Sequence, residues 1–379
     1  MLQFNDLSFW EKQAITEGID FAVIGGGIVG IACAVELRKL HPKAKIVLLE
    51  RGYLSTGAST KNAGFACFGS VTELADDLKT MSEAAVWDTV AMRFEGLKRL
   101  QERFSPQKIG LKINGSWDLL TQHEATSKQI FDDQIPYFNE QIKRITGKDN
   151  CFSYDNSIAT KCGFQGIHGG YFNRLEGELL TGNLIQASNL LLAQHAISVL
   201  NGINVEQVTD STNQVIIQTN FGELKAAKVA ITVNGFAQSF LKNKRVLPAR
   251  AQVLVTSELS SSPLPGTFHY QKGYYYFRSV GNRILLGGGR NLDFEGETTT
   301  SFEQTPLITN ALIHLLKEHI IPNESFQIDY QWSGIMGVGN EKKPIIELTS
   351  NNVGIGVRMG GMGVAIGSLV GEELAQKLN

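Results

Sequence analysis

The chain has 379 residues, 42% of them apolar and 19% charged, with a formal net charge of −2. That length exceeds one hydrophobic core and implies two joined domains, while a balanced charge with no basic block argues against a nucleic-acid partner. Glycine is in surplus at 39 residues and falls in clusters, the pattern of backbone that turns tightly or approaches a ligand.

In chain order, residues 20–24 (DFAVI) read as a buried strand, GGGIVG follows, residues 31–40 have helical spacing, and residues 44–49 (AKIVLL) are a second buried strand ending at Glu50. This is a βαβ unit. Residues 81–104 read as a helix, 116–120 as a strand, and 179–200 as a second long helix. Residues 203–208, 214–219 and 228–233 then read as strands. Residues 253–256, 274–278 and 283–286 alternate like strands of an antiparallel sheet, with turns at Pro263, Pro265, Gly281 and Asn282. Residues 305–319 are helical, and the chain ends strand (353–357), glycine cluster, helix (364–378). The expected fold is α/β: a Rossmann-type nucleotide domain of residues 1–85, 150–240 and 330–379, interrupted by an α+β substrate domain of residues 86–149 and 241–329 on a mostly antiparallel sheet.

Gly25, Gly27 and Gly30 occupy the G-x-G-x-x-G positions between strand and helix, for the sharp turn, the approach to a pyrophosphate and close helix packing respectively. The helix start offers free N–H groups to phosphate, and Glu50 ends the next strand where an acid accepts ribose hydroxyls. A second small, hydroxyl-rich loop from Ser55 to Gly64 favours the longer FAD over NAD. The cysteines Cys33, Cys67, Cys151 and Cys162 form no CxxC pair and have no histidine at metal spacing, so free thiols and no metal are expected. The N-terminus lacks the pattern of a secretory signal and no apolar run reaches the roughly 20 residues of a membrane span; a cytoplasmic protein is expected.

The stretches DFAVIGGGIVGIACAVEL with Glu50, GASTKNAGF, KVAITVNG, YYYFRSVGNRILLGGG, WSGIMG and GVRMGGMGVAIGSLVGEELA, in this order, resemble the D-amino-acid oxidase superfamily of flavoproteins, which includes glycine, sarcosine and glutamylputrescine oxidases. The resemblance implies FAD and hydride transfer from an amine-bearing carbon to flavin N5, with oxygen or another electron acceptor. It places the cofactor on Gly25, Gly27, Ile28, Val29, Gly30, Glu50 and Arg51, on Ser55, Gly57, Ala58, Ser59, Asn62, Ala63 and Gly64, on Val208, Asn234, Gly235 and Gly334, and on Arg358, Gly360, Gly361, Met362, Gly363 and Val364. The sarcosine type tethers flavin through a late cysteine; none follows Cys162 here, so non-covalent FAD is expected.

Tyr274, Tyr276 and Arg278 share one strand face by the period of two, and the resemblance implies that this strand is the wall facing flavin and substrate. Where amino-acid oxidases carry arginine in W-x-G-x-R-P, this chain has Met336, and Val364 and Ala365 stand near where sarcosine oxidases carry lysine. The expected substrate is therefore a small amine, or an amino acid whose carboxylate meets Arg278 or Arg358. His168, His269 and His314 are acid–base candidates by residue type alone. The competing readings are the flavin domain of a tRNA-modifying enzyme and a flavin-binding assembly factor with little catalysis.

Overall fold

The computed structural model describes residues 3–241, 245–260 and 263–379. Strand β1 (Ile19–Ile24), helix α1 (Ile28–Leu40) and strand β2 (Ile46–Glu50) form the opening βαβ unit. Both strands are nearly continuous apolar runs because parallel neighbours and helices cover both faces. Helices α2 (Val71–Thr80) and α3 (Glu83–Arg103) follow, each capped by a serine hydroxyl: Ser70 accepts from the Glu73 N–H and Ser82 from the Ala85 N–H.

The chain then alternates between two eight-stranded sheets. It supplies β3 (Ser116–Thr121), helix α4 (Lys128–Thr146), β4 (Phe152–Asp155) and β5 (Ile167–Asn173). Helix α5 (Thr181–Gln194), β6 (Ser198–Asn201), β7 (Val205–Asp210), β8 (Val215–Thr219) and β9 (Gly222–Ile231) return to the first sheet. Strands β10 (Leu247–Thr256), β11 (Thr267–Tyr270), β12 (Tyr275–Val280) and β13 (Arg283–Gly288), helix α6 (Pro306–Leu315) and β14 (Ile328–Val338) build the second. Strands β15 (Ile345–Leu348) and β16 (Val353–Val357) and helix α7 (Gly363–Leu378) close the first.

The first sheet runs β15-β16-β9-β1-β2-β6, parallel except at β15, with β8 antiparallel to β9 and β7 antiparallel to β8. The second runs β14-β10-β13-β12-β11-β3-β5-β4, antiparallel except between β11 and β3. Rossmann-like and mostly antiparallel halves are thus both present.

Sheet membership moves the expected boundaries. Strands β4 and β5, expected in the nucleotide part, belong to the second sheet, and so does β14, which pairs with β10 along almost its whole length. Helix α3, expected in the substrate part, packs on α7, where Arg99 and Arg103 both bind the buried Glu372 carboxylate. The helix expected to reach residue 200 stops at Gln194: residues Ile197 to Asn201 carry the β-branched pattern of an edge strand, and β6 pairs with β2.

Candidate active site

A cavity of about 860 Å³ lies between the two sheets. Its nucleotide end is built from β1, α1 and β2. Gly25 takes a φ of +106°, Gly27 caps α1, and a Cβ on Gly30 would overlap the Gly25 carbonyl oxygen. Gly25, Gly27, Ile28 and Val29 line the cavity, whereas Gly30 lies behind it, holding helix to strand. No side chain caps α1 and no acid stands in its first turn, so its positive end is free for an anion. Glu50 and Arg51 line the same end. The Glu50 carboxylate accepts from the Gly26 and Gly52 N–H groups, each at 2.9 Å, which orients it and leaves lone pairs for hydroxyls.

Ser55, Gly57, Ala58, Ser59, Asn62 and Ala63 continue the wall. Ser59 Oγ accepts from the Ile28 N–H at 2.9 Å and so joins this loop to the helix start. At the other end α7 begins without a side-chain cap or an acid in its first turn, and Gly360, Gly361, Met362, Gly363 and Val364 line the cavity there. Two bare helix starts on one elongated cavity, with Glu50 beside the first, fit FAD: a pyrophosphate at α1 and an electron-rich ring edge at α7.

The rest of the cavity wall comes largely from the second sheet. Tyr276, Tyr274, Gly334 and Met336 line the cavity there. Tyr276 has room because Gly287, its partner across the strands, carries no Cβ; one there would sit 2.6 Å from the ring. Phe65 packs edge-on against both Tyr276 and His269, at 5.6 and 5.3 Å. Of the three candidate histidines, His269 alone lines the cavity. Burial pulls its imidazole down to about 4, so it is neutral at pH 7.

Several expected site residues stand elsewhere. Arg278 shares the Tyr276 face, but it is 3% exposed and binds the Ala63 and Leu179 carbonyls at 2.6 and 3.0 Å and Glu178 at 3.1 Å. It ties three segments together and does not reach the cavity wall. Arg358, with a φ of +69°, turns away to the Lys343 carbonyl and Glu341, both at 2.8 Å. Val208 lies too far along β7 and packs into the core of the first sheet; Val205 takes the cavity position. Gly64 and Gly235 are close-packing points against the Leu179 and Met336 carbonyls. Asn234 does line the cavity, and its Oδ1 accepts from the Arg358 and Met359 N–H groups at 3.1 and 3.2 Å, holding the last glycine turn in place.

Side chains that sequence reasoning passed over carry most of the charge here. Glu73 and Asp77, four residues apart on α2 and so on one face, meet Lys342 at 2.8 and 2.7 Å, and Arg93 of α3 approaches Glu73 at 3.3 Å. Burial pushes Glu73 up, but Arg93 and Lys342 outweigh it and hold the carboxyl at about 2. Burial and the neighbouring Glu73 raise Asp77. Lys272 pairs with Asp76 at 2.7 Å. Arg290, directly after the Gly287–Gly289 run, differs. Its guanidinium lies over Phe294 at 4.9 Å, and its Nε is buried with no hydrogen-bond partner among the described residues. An arginine directly after the glycine run that ends β13 was the available signal.

Residues 20–377 match the DAO family model, described as FAD dependent oxidoreductase. The probable oxidoreductase OrdL of Haemophilus influenzae is 20% identical over 377 residues, covering 96% of this chain and 83% of its own length. Glycine oxidase of Geobacillus kaustophilus is 22% identical over 337 residues, 85% of this chain and 82% of its own. Among solved structures, L-proline dehydrogenase from P. horikoshii superposes with a TM-score of 0.73 at 18% identity, covering 96% of this chain and 93% of that one. Among the described residues no helix is long and apolar enough to cross a membrane. A match over nearly the whole chain, on a fold whose cavity suits the cofactor, settles the family: the chain belongs to the DAO family of FAD-dependent oxidoreductases.

Proposed function

We propose that the chain oxidises the C–N bond of a small amino acid whose carboxylate is held by Arg290. The observation that carries this reading is the state of Arg290 in the cavity wall. Nearby Lys272, Lys342 and Arg93 already have carboxylate partners, whereas Arg290 has a buried Nε without one. Burial lowers its pKa from the ordinary arginine value, outweighing the compensation from Tyr274 and Glu297. A carboxylate bound by the guanidinium fork adds to that compensation in two parallel hydrogen bonds. The names of the relatives, glycine oxidase and L-proline dehydrogenase, agree with an amino-acid substrate. The expected amine preference, drawn from the missing arginine and lysine, gives way to this reading, in which the anchor is Arg290 in the turn just past β13.

Bound FAD supplies the two-electron acceptor. The chain supplies position and dryness. Tyr276 and Phe65 wall one side, Met336 fills the place of a charged residue without adding a competing anchor, and Gly334 keeps β14 close to Lys61. Neutral His269 adds no charge to repel an amine. The test is anaerobic flavin bleaching with matched pairs, each an amino acid beside its decarboxylated amine, in the parent and in Arg290→Ala. The amino acid should reduce the flavin faster, and the variant should lose that preference by roughly 10- to 100-fold, the worth of a charge-assisted hydrogen bond. Equal rates within each pair, or a preference that survives in Arg290→Ala, overturns the proposal. Acid precipitation should leave the yellow colour in the supernatant; colour in the pellet contradicts non-covalent FAD.

A further inference from the structure

Behind Tyr276 and Phe65 lies a group that the oxidation does not use. Cys67 follows the short strand Phe65–Ala66, Glu176 sits in the turn after β5, and His269 projects from β11. One donor atom from each, the Cys67 sulfur, a Glu176 carboxylate oxygen and a His269 ring nitrogen, lies within 4.8 Å of the others. Glu176 is fully buried; its Oε1 accepts from the Phe68 and Gly69 N–H groups at 2.6 and 2.8 Å, while its Oε2 has no hydrogen-bond partner. Among the described residues His269 Nε2, like Glu176 Oε2, is buried without a partner. Cys67 Sγ makes long contacts of 3.8 to 3.9 Å to the Ser116 and Thr267 hydroxyls and the Gly177 carbonyl, and it also interacts with the Glu176 carboxyl.

Buried polar atoms without partners are costly, and two of them, on residues clustered with a thiol, call for a common partner. A nucleophilic Cys–His pair is the first alternative. It fails because burial raises the Cys67 thiol well above its usual range, leaving no thiolate to attack. A cation reverses that, since a coordinated thiol is deprotonated outright. We infer that Cys67, Glu176 and His269 form a binding site for a divalent zinc-type cation, with its remaining position open to the flavin cavity. One thiolate, one imidazole and one carboxylate are a zinc donor set, and their charges neutralise the ion. Metal–ligand distances of about 2.0–2.3 Å require the three donors to close in around the ion. The Phe68 and Gly69 N–H groups hold the carboxylate from behind, as outer partners of metal ligands do. Cys67 and His269 both line the cavity, which leaves the open position facing it. Binding transfers the thiol proton, and any proton on Glu176, to solvent. The inference stands independently of the role proposed for Arg290.

The experiment uses the purified flavoprotein, dialysed against micromolar zinc chloride and then against zinc-free buffer. Elemental analysis should find one zinc per chain, and zinc-edge X-ray absorption one sulfur at about 2.3 Å with nitrogen or oxygen neighbours. Cys67→Ser and His269→Gln should each weaken zinc retention by roughly tenfold or more, with flavin content and thermal unfolding kept. Zinc absent from the parent, zinc lacking a sulfur neighbour, or equal zinc in both variants overturns the site. Should the variants fold poorly, the absorption spectrum of the parent decides alone.

Discussion

At the α1 end the cavity wall is mostly backbone; at the β12–β13 end it is mostly side chains. Gly25, Gly27 and the bare start of α1 present peptide groups whose positions follow from the turn itself. Tyr276, His269, Arg290 and the Glu73–Lys342 cluster instead come from strands and helices far apart in sequence. Backbone recognition depends on which residues lack a side chain, so it is fixed locally. Side-chain recognition depends on which residues the two sheets bring together, and so tolerates exchange of one anchor for another.

The comparison is tested most severely at Gly30. Gly30→Ala forces a Cβ into the Gly25 carbonyl oxygen, which only a shift of α1 against β1 relieves. Such overpacking costs about 1–3 kcal/mol in side-chain cores, occasionally more, and more is expected against backbone. The variant should purify without flavin and unfold well below the parent in a thermal melt. Normal flavin content would show that the glycine turn is not rigid.

Arg278 and Arg290 sharpen it from the other side, because both are arginines near the tyrosine strand and only one lines the cavity. Arg278→Ala strands Glu178 and leaves the Ala63 and Leu179 carbonyls without their donor. It should cost about 3–5 kcal/mol of stability, the penalty for breaking a buried pair. Arg290→Ala removes a side chain that binds no carboxylate among the described residues, and should leave the unfolding midpoint near that of the parent. Denaturant titration of both variants measures this; equal losses would erase the distinction between scaffold and anchor.

These two residues also show what was legible in the sequence. The glycine spacing, Glu50 and the terminal cluster were readable because each acts within one strand–turn–helix. The face shared by Tyr276 and Arg278 was readable from the period of two. What a period cannot tell is how far the neighbouring segment reaches: Ala63 and Leu179 close over Arg278 and shut it away from the cavity. Arg290 was passed over because it falls just outside the alternating run. The Glu73–Asp77–Lys342–Arg93 cluster joins α2, α3 and the turn before β15, a contact that only the assembled fold creates. Sheet membership was hidden for a related reason, since β4, β5 and β14 have strand patterns that do not say which sheet they join.

Asp118 offers a test on the second sheet that is separate from the cavity. It is 2% exposed and accepts from the Thr72 N–H and hydroxyl at 2.7 and 3.0 Å, with Ser70 and Glu124 nearby. Burial pushes its carboxyl up to about 7 from 3.8. The folded state therefore holds a proton that the unfolded state releases, and stability should fall as pH rises from about 4 to about 7, then level off. Three units correspond to at most roughly 4 kcal/mol. Asp118→Asn should flatten that slope relative to the parent in denaturant titrations across the window. An unchanged slope would mean that Asp118 ionises freely in the fold.

Glu50 gives the smallest expected effect and the finest distinction, since its carboxylate serves both the backbone and, by the motif, a ribose. Its oxygens accept from Gly26 and Gly52, so a loss of flavin in Glu50→Ala has two sources: a loosened turn and a lost acceptor for the cofactor. Glu50→Gln separates them. The amide keeps one oxygen for one N–H group but sets an NH₂ against the other, and it carries no charge with which to accept from hydroxyls. Glu50→Ala should weaken FAD by about 1.5–3 kcal/mol, the worth of a hydrogen bond to a charged group, or roughly 10- to 150-fold in Kd. Glu50→Gln should weaken it by a similar factor if the charge matters, and far less if the turn alone does. The measurement is FAD binding to the apoprotein, with its thermal midpoint recorded beside each value. Weaker FAD binding with an unmoved apoprotein midpoint assigns Glu50 to the cofactor; a midpoint that falls in step with the affinity assigns it to the turn.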